Sequence, residues 1–501
     1  MFFSTIGILF QPANLILGFV GVLVGIIFGA IPGLSGTTAM ALLLPISFSM
    51  DSFSAIIFLG ATYVGAVSGG LISSILLGIP GTTSSVATTY DGYPMTLKGK
   101  AVKALGIGIV SSFIGTIGSV IIAMLFCPLL AKVALKLGPW ELFSLCFCAI
   151  ILVVTISKGD MWNGLIAALI GAAISCIGFA PIDSSKRFSF GIKTLLGGVN
   201  TTGLVLGFFA LCTIMKNYGQ KKTVNPPVED FKLKGFGVSF KELWQNKWLI
   251  LKSFFIGLWI GFLPGMGSGL SNQVAYATAR SSSKHPETFG QGNPEGVYAS
   301  EVSNNAAVGG AVIPTIALGI PGDTPMSILL GGLIIHGLEP GPLLMTTSPD
   351  FVYVFFGILI LAAIMTLFTQ LFGMRFFPKM LKIPYHYLFS GIAVVCFAGA
   401  FSTTMSISNC GLMIGVALLG LFFAFAELPS APFILGFILG PMLEMNLRKG
   451  ITYDDRGFIV FLTRPISCAL LLVAVGSMFW PYIRARIEAK KGSKYQDGED
   501  D

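Results

Sequence analysis

The sequence predicts an all-α polytopic membrane protein with two homologous halves. The prediction rests on composition, apolar segments and an internal repeat. Of the 501 residues, 54% are hydrophobic, 11% are charged and 62 are glycine. Soluble domains carry about 25% charged residues, so this composition excludes a soluble globular protein. The apolar segments, including one near residues 304–320, predict roughly 10–12 transmembrane helices plus re-entrant or broken helices at Pro-Gly motifs.

One long polar connector divides the chain. Residues 1–215 are the first predicted transmembrane repeat, 216–247 the connector, 248–483 the second repeat and 484–501 a charged C-terminal tail. The connector is rich in lysine, which places it and the tail on the cytoplasmic side. The net charge of +8 comes from short loops and the C-terminus, so no nucleic-acid partner is predicted. The eight cysteines form no CxxC pair or Cys/His cluster, so we expect no metal and no cofactor.

Two motifs recur in the same order in both halves. GIIFGAIPGLS at residues 25–35 aligns with GLWIGFLPGMG at 257–267. LGIPGTT at residues 77–83 aligns with LGIPGDT at 318–324, at an offset of 241 residues. Composition bias could imitate one such match but hardly the ordered set, which indicates an internal duplication.

Each half carries two Pro-Gly dipeptides inside apolar sequence. Proline removes a backbone donor, and glycine tolerates the strained backbone that follows. A kinked but continuous helix would explain any single dipeptide. Paired interruptions at matching positions of two repeats instead point to a transporter's binding site. The four breaks are Pro32-Gly33, Pro80-Gly81, Pro264-Gly265 and Pro321-Gly322.

Small hydroxyl and amide residues follow these breaks. Helix N-termini attract carboxylates, and freed carbonyl and hydroxyl oxygens suit hard cations. The alternative is that small residues only allow close helix packing. The predicted substrate-binding residues are Pro32, Gly33, Ser35, Gly36, Thr37, Thr82, Thr83, Ser84, Gly265, Gly267, Ser268, Asn304 and Asn305.

Asp323 stands out because its counterpart in the first half is the neutral Thr82. A carboxylate within a membrane segment is costly and is a functional candidate by default. It could ligate a coupling cation or relay a proton, or it could cap a half-helix. The predicted cation-coupling residues are Gly81, Gly322, Asp323 and Thr324, with Na⁺ or H⁺ as the coupling ion.

These motifs resemble the large membrane subunit of the tripartite tricarboxylate transporters, the TctA family. The resemblance covers residues 15–480 and rests on GxxxGxxPG in both halves, the loop from Asp91 to Met95, and the run 292–322. It implies a multi-pass secondary transporter of the bacterial inner membrane that imports a di- or tricarboxylate and is not an enzyme. It also implies two partners, a small multi-span membrane subunit and a periplasmic solute-binding protein. The oligomeric state is left open, with a homodimer as one possibility.

The relative direction of the two repeats is also open. Lys136 matches Lys382, and Lys132 falls one place from the match to Lys379. Basic residues collect on the cytoplasmic side of a membrane. Basic residues at matching positions of the two repeats therefore favour parallel repeats. Transporters of this general kind often have inverted repeats, which favours the opposite arrangement.

Two other functions fit parts of the sequence. A carboxylate channel would share the composition and the breaks. An intramembrane serine protease would use Ser35 in the sequence GLSG with His336 as the base, since a serine nucleophile needs a hydrogen-bonded base. The repeat counterpart of Ser35 is Gly267, which argues against paired catalytic chemistry.

Overall fold

The computed structural model describes residues 7–32, 34–156, 161–180, 182–219, 237–381 and 385–479. Gly33, the middle of the predicted connector (220–236) and the whole predicted tail (484–501) lie outside the described residues. The described chain is helical apart from one antiparallel hairpin, in which β1 (Gly178–Phe179) pairs with β2 (Lys186–Arg187). This confirms the predicted all-α class.

The first half contains nine helices within the described residues. A 3₁₀ turn, Thr83–Ser85, precedes the fourth helix, and a π turn, Leu206–Leu211, joins the last two. The helices are α1 (Pro12–Ala30), α2 (Gly36–Ser47), α3 (Ser52–Leu77), α4 (Val86–Leu97), α5 (Ala101–Ala134), α6 (Pro139–Ile156), α7 (Met161–Ser175), α8 (Thr201–Val205) and α9 (Cys212–Gly219).

The second half repeats this order of long and short helices. Its helices are α10 (Phe240–Gln245), α11 (Lys247–Phe262), α12 (Gly267–Ser282), α13 (Pro294–Leu318), α14 (Thr324–Ile335), α15 (Leu344–Thr347), α16 (Pro349–Gly373), α17 (Phe377–Leu381), α18 (Tyr385–Thr404), α19 (Ile407–Phe425), α20 (Ser430–Thr452), α21 (Ile459–Thr463) and α22 (Pro465–Phe479). Across the described residues, six helices are long and apolar enough to cross a membrane, and seven apolar helices are shorter.

The chain forms two compact units, Met1–Leu135 with Val199–Phe422, and Lys136–Gly198 with Phe423–Asp501. In the second unit, α7 packs closely on α20, because a Cβ at Gly171 would lie 2.0 Å from the Phe433 carbonyl oxygen. The same unit contains an ion pair between Arg464 and Glu141, 2.5 Å apart. The four Pro-Gly breaks all belong to the first unit.

Both halves show the same local geometry around their breaks. In each half a long helix ends before the first break, a short helix follows, and a second long helix ends in a left-handed glycine. These glycines are Gly78 (φ 69°) and Gly319 (φ 73°), a conformation that disfavours residues with a side chain. The breaks predicted from the Pro-Gly pattern are therefore real helix interruptions.

The second long helices of the two halves, α3 and α13, run in opposite directions. As the chain advances through the second half, its hydrogen-bond partners move backwards through the first. Ser300 pairs with Thr88 of α4, Asn305 with Ser68 of α3, and Asp323, beyond the end of α13, with Tyr63 of α3. Between α3 and α13 themselves, Asn305 lies level with Ser68 and Glu301 lies level with residues 71–75, because a Cβ at Gly108 would lie 3.4–3.7 Å from Ile75, Leu71 and Glu301. Equivalent helices of opposite direction are the arrangement of an inverted repeat.

Lys132 and Lys379 do not mark one side, so they do not support parallel repeats; Lys382, the match of Lys136, lies outside the described residues. Helix α5, which ends near Lys132, runs with α13, because Ser112 contacts Glu301 and Ser119 contacts Gly309. The helix Pro349–Lys379 runs with α3, as the bond from Gln370 to the Ser68 carbonyl and the packing of Gly60 on Phe355 show. The two lysines therefore end helices of opposite direction.

Helix α13 begins ten residues before the apolar segment expected near residues 304–320. It holds Glu301 and several amide and hydroxyl residues, and every residue from Gly296 to Ala317 is buried. Helices α5, α11 and α12 enclose it. Hydropathy therefore misses the start of α13, because polar residues that are tolerated only inside protein lower its mean hydropathy.

Candidate functional site

The four breaks lie next to one another in the first unit. A Cβ at Gly81 would lie 2.2 Å from the Gly29 carbonyl oxygen, which joins the two breaks of the first half. The Gly265 N–H donates to the Gly322 carbonyl at 2.8 Å, which joins the two breaks of the second half. A Cβ at Gly269 would lie 3.4 Å from the Thr83 carbonyl oxygen, which links the halves.

At the first break of the first half, Ser35 caps the helix that follows. Ser35 caps α2, accepting from the Thr38 N–H at 3.1 Å, and Gly36 begins the helix. Pro32 and Thr37 are half-buried beside it. Within the described residues, the Ser35 hydroxyl makes hydrogen bonds only to Thr38, and no base is among its partners. This geometry gives no support to the protease alternative.

The second break of the first half is a compact hydroxyl turn. The Thr82 N–H contacts the Ser85 hydroxyl at 3.3 Å, and the Thr82 and Ser84 hydroxyls lie 2.8 Å apart. Thr83 is exposed beside Gly269. Three of the predicted residues are therefore together, and Thr83 presents the accessible hydroxyl.

Helix α12 offers an N-terminus without a side-chain cap. Its N-cap residue Met266 makes no capping bond, whereas Ser35 caps α2 and Asp323 caps α14. The first N–H groups of a helix have no intrahelical partner and carry the positive end of its dipole. At α12 the first of these groups belong to Gly267 and Ser268, and Gly269 in the same turn lies beside Thr83, so this end can receive an anion.

Asp323 forms a structural cap. One carboxylate oxygen accepts from the Met326 N–H at 2.9 Å, and the other accepts from the Tyr63 hydroxyl at 2.6 Å. A Cβ at Gly267 would lie 3.1 Å from its Cβ, and Thr324 begins α14. Of the two roles expected for Asp323, the structure shows the capping role, and Tyr63 is a partner that the sequence analysis did not name.

The two predicted asparagines differ in their surroundings. Both are fully buried. Asn305 is satisfied, because its oxygen accepts from Ser68 at 2.8 Å and Thr116 at 3.2 Å while its nitrogen donates to the Glu301 carbonyl. Asn304 donates weakly to the Val67 carbonyl at 3.5 Å, and its oxygen has no partner. Asn305 therefore ties the halves together, and Asn304 keeps an acceptor free.

The stretch from Asp91 to Met95, which the sequence analysis expects to be a loop, lies within helix α4. The buried Asp91 carboxylate accepts from the Tyr276 hydroxyl at 2.9 Å and from the N–H groups of Gly290, Gly292 and Asn293 at 2.8–2.9 Å. It thereby holds the turn that starts α13. A Cβ at Gly296 would lie 2.2 Å from this carboxylate, which requires glycine there.

Glu301 is the main residue that the sequence analysis missed. Its fully buried carboxylate accepts from the hydroxyls of Thr88 and Ser112, which come from α4 and α5. The signal for Glu301 is a glutamate three residues before Asn304, but it stands in polar sequence that precedes the apolar segment predicted near residues 304–320. A sequence signal also exists for Tyr63, the partner of Asp323. The repeat offset of 241 residues aligns Tyr63 with Asn304, which was already a candidate.

Comparisons with known proteins identify the family of this chain. The model of the Tripartite tricarboxylate transporter TctA family matches residues 15–435. An uncharacterized 52.8 kDa protein in the TAR-I ttuC' 3' region of Agrobacterium vitis is 31% identical over 95% of both chains. An uncharacterized protein in the TAR-II ttuC' 3' region of the same organism is 33% identical over 46% of this chain and 96% of its own. No solved structure shows a significant match. The chain is a multi-pass membrane protein and belongs to the TctA family, a component of tripartite tricarboxylate transporters.

Proposed function

We propose that this chain is the cation-coupled large subunit that imports an organic di- or tricarboxylate across the bacterial inner membrane. A periplasmic binding protein delivers the acid, citrate being one candidate, and a small multi-span subunit completes the complex. Family membership supports the tripartite organisation. The inverted direction of the two halves and the contiguous breaks support alternating access around a central site.

The observation that carries the proposal is the uncapped N-terminus of α12 beside Thr83. One substrate carboxylate binds there, to the N–H groups of Gly267 and Ser268 and to the Thr83 hydroxyl. Charge-assisted hydrogen bonds of this kind are stronger than neutral ones. Gly265 keeps the turn open because its φ is 71°, where a side chain is disfavoured.

The remaining predicted residues shape this site. In this proposal the first-half breaks contribute one wall through Pro32, Ser35, Gly36, Thr37, Thr82 and Ser84, Asn304 contributes a free acceptor, and Asn305 holds that wall to α13. Gly33 keeps its predicted role but lies outside the described residues. A coupling cation, Na⁺ or H⁺, binds at the second-half break through Asp323, Gly322 and Thr324, with Gly81 at the matching position. The backbone dipoles and the cation supply positive potential without buried basic residues.

The test is uptake into membrane vesicles that contain the large and small subunits, with the binding protein added. Radiolabelled citrate, succinate and acetate are compared with and without Na⁺ and pH gradients. We expect accumulation of a di- or tricarboxylate against its gradient and not of acetate. Equilibration without accumulation would instead indicate a channel.

Thr83 provides the site-specific variant. Thr83→Ala removes one hydrogen bond to a charged group, so uptake at low substrate falls about ten-fold. Thr83→Ser keeps the hydroxyl and is the matched control, with uptake near that of the wild type. Equal uptake by the alanine and serine variants would remove Thr83 from the substrate site.

A further inference from the structure

Glu301 lies at a junction of both halves. It projects from α13 and is wholly buried, with one carboxylate oxygen on the Thr88 hydroxyl and the other 3.1 Å from the Ser112 hydroxyl. The Thr88 hydroxyl also lies 3.3 Å from the Ser300 hydroxyl. Several hydroxyl oxygens therefore surround one carboxylate.

No positive charge accompanies this carboxylate within the described part of the chain. Lysine, arginine and histidine form no ion pair with it there. Lys103 on α5 is paired with Glu242, and Arg280 on α12 is exposed. The buried ionisable side chains on elements packed against α13, and on α13 itself, are all acids: Tyr63, Asp91, Cys127, Tyr276, Tyr298 and Asp323.

A buried carboxylate without a cation is costly, and hydroxyl donors offset only part of that cost. The cost disappears when a proton or a metal cation neutralises the group. Hydroxyl groups donate to a carboxylate and accept from a carboxylic acid, so Thr88 and Ser112 accommodate both charge states. Their oxygens are also ligands that hard cations prefer.

Two asparagines connect this cluster to the breaks. Asn304 follows Glu301 by three residues on α13, so the two lie on neighbouring turns of one helix, and the Asn304 oxygen is free although fully buried. Asn272, in the second turn of α12, reaches the Thr88 hydroxyl at 3.4 Å and the Ala87 N–H at 2.7 Å. Thr88 thus contacts both Glu301 and the helix whose N-terminus faces the substrate.

We infer that Glu301, with Thr88 and Ser112, is a second coupling site, which takes up one univalent cation, H⁺ or Na⁺, in each transport cycle. The cation neutralises Glu301 and fixes the Thr88–Asn272 contact that positions α12 for the substrate. This inference rests on the proposed function and adds to the role proposed for Asp323. A substrate with two or three negative charges then enters with a cation at each site.

The test uses the complete complex in proteoliposomes and the acid that the uptake panel identifies, with citrate first. Net uptake is driven by a pH gradient at fixed Na⁺ and then by a Na⁺ gradient at fixed pH. Exchange of internal for external acid is measured without either gradient. Glu301→Gln presents a neutral carboxamide like the cation-loaded site, so we expect exchange to persist and gradient-driven uptake to fall at least about ten-fold. The gradient whose effect is lost identifies the ion.

A second pair of variants keeps the test decisive if Glu301→Gln does not fold. Ser112→Ala removes one hydroxyl from the carboxylate and should raise the half-saturating concentration of the coupling ion about ten-fold. Ser111→Ala is the matched control, because that buried hydroxyl has no partner, and its ion dependence should equal that of the wild type.

The outcomes separate the two proposals. Wild-type ion dependence in both Glu301→Gln and Ser112→Ala would overturn the coupling role of Glu301 while leaving the transporter intact. Loss of exchange together with uptake in folded Glu301→Gln would overturn it too, because the neutral site would then not support translocation. A wild-type complex that accumulates none of the acids would contradict the proposed function itself.

Discussion

Replacing Asp91 should destabilise the turn that begins α13. The carboxylate accepts from three N–H groups at 2.8–2.9 Å and from the Tyr276 hydroxyl. In Asp91→Ala, water reaches the exposed Gly290, but the N–H groups of Gly292 and Asn293 are only partly accessible. The buried Tyr276 hydroxyl loses its acceptor as well. An unpartnered buried donor costs about 1–3 kcal/mol, so losing the partner of these three donors should lower the free energy of unfolding by about 3–9 kcal/mol.

Tyr276→Phe is the graded control, because it removes one of the four hydrogen bonds and leaves the carboxylate in place. It should cost about 1.5–3 kcal/mol, the usual value for a bond to a charged group. Thermal unfolding of the detergent-purified chain measures both variants under the same conditions. If Asp91→Ala unfolds at the same temperature as Tyr276→Phe or the wild type, the reasoning about this turn is refuted.

Two further predictions concern the breaks. Gly81→Ala should destabilise the chain by about 1–3 kcal/mol, because its Cβ would lie 2.2 Å from the Gly29 carbonyl oxygen. Gly269→Ala, with 3.4 Å to its nearest neighbour, should unfold near the wild-type temperature, and equal destabilisation of both would contradict the packing account. Asp323→Asn should preserve the helix cap and Asp323→Ala should lose about 1 kcal/mol, as thermal unfolding will show. Unchanged cation dependence of uptake in the asparagine variant would remove Asp323 from the coupling residues.

The breaks could be predicted because their cause is local. Proline lacks an N–H and glycine allows a positive φ, so a Pro-Gly dipeptide in apolar sequence interrupts a helix wherever it lies. Ser35 and Asp323 were likewise recognisable, since capping residues sit next to the helix that they begin.

Features that depend on distant contacts could not be predicted in the same way. The partner of Asp323 is Tyr63, 260 positions earlier in the chain. Helix α13 is polar because neighbouring helices surround it, so hydropathy placed its start too late and hid Glu301. The lysine pattern favoured parallel repeats, but it rests on only a few charges. Helix packing sets the direction of the helices, and these charges do not reveal it.

The most direct test of the central claim is an experimental structure of the complex with a bound heavy-atom-labelled dicarboxylate. The account predicts one carboxylate within hydrogen-bonding distance of the Gly267 and Ser268 N–H groups and the Thr83 hydroxyl. A labelled acid bound away from the four breaks, with the α12 N-terminus unoccupied, would contradict it.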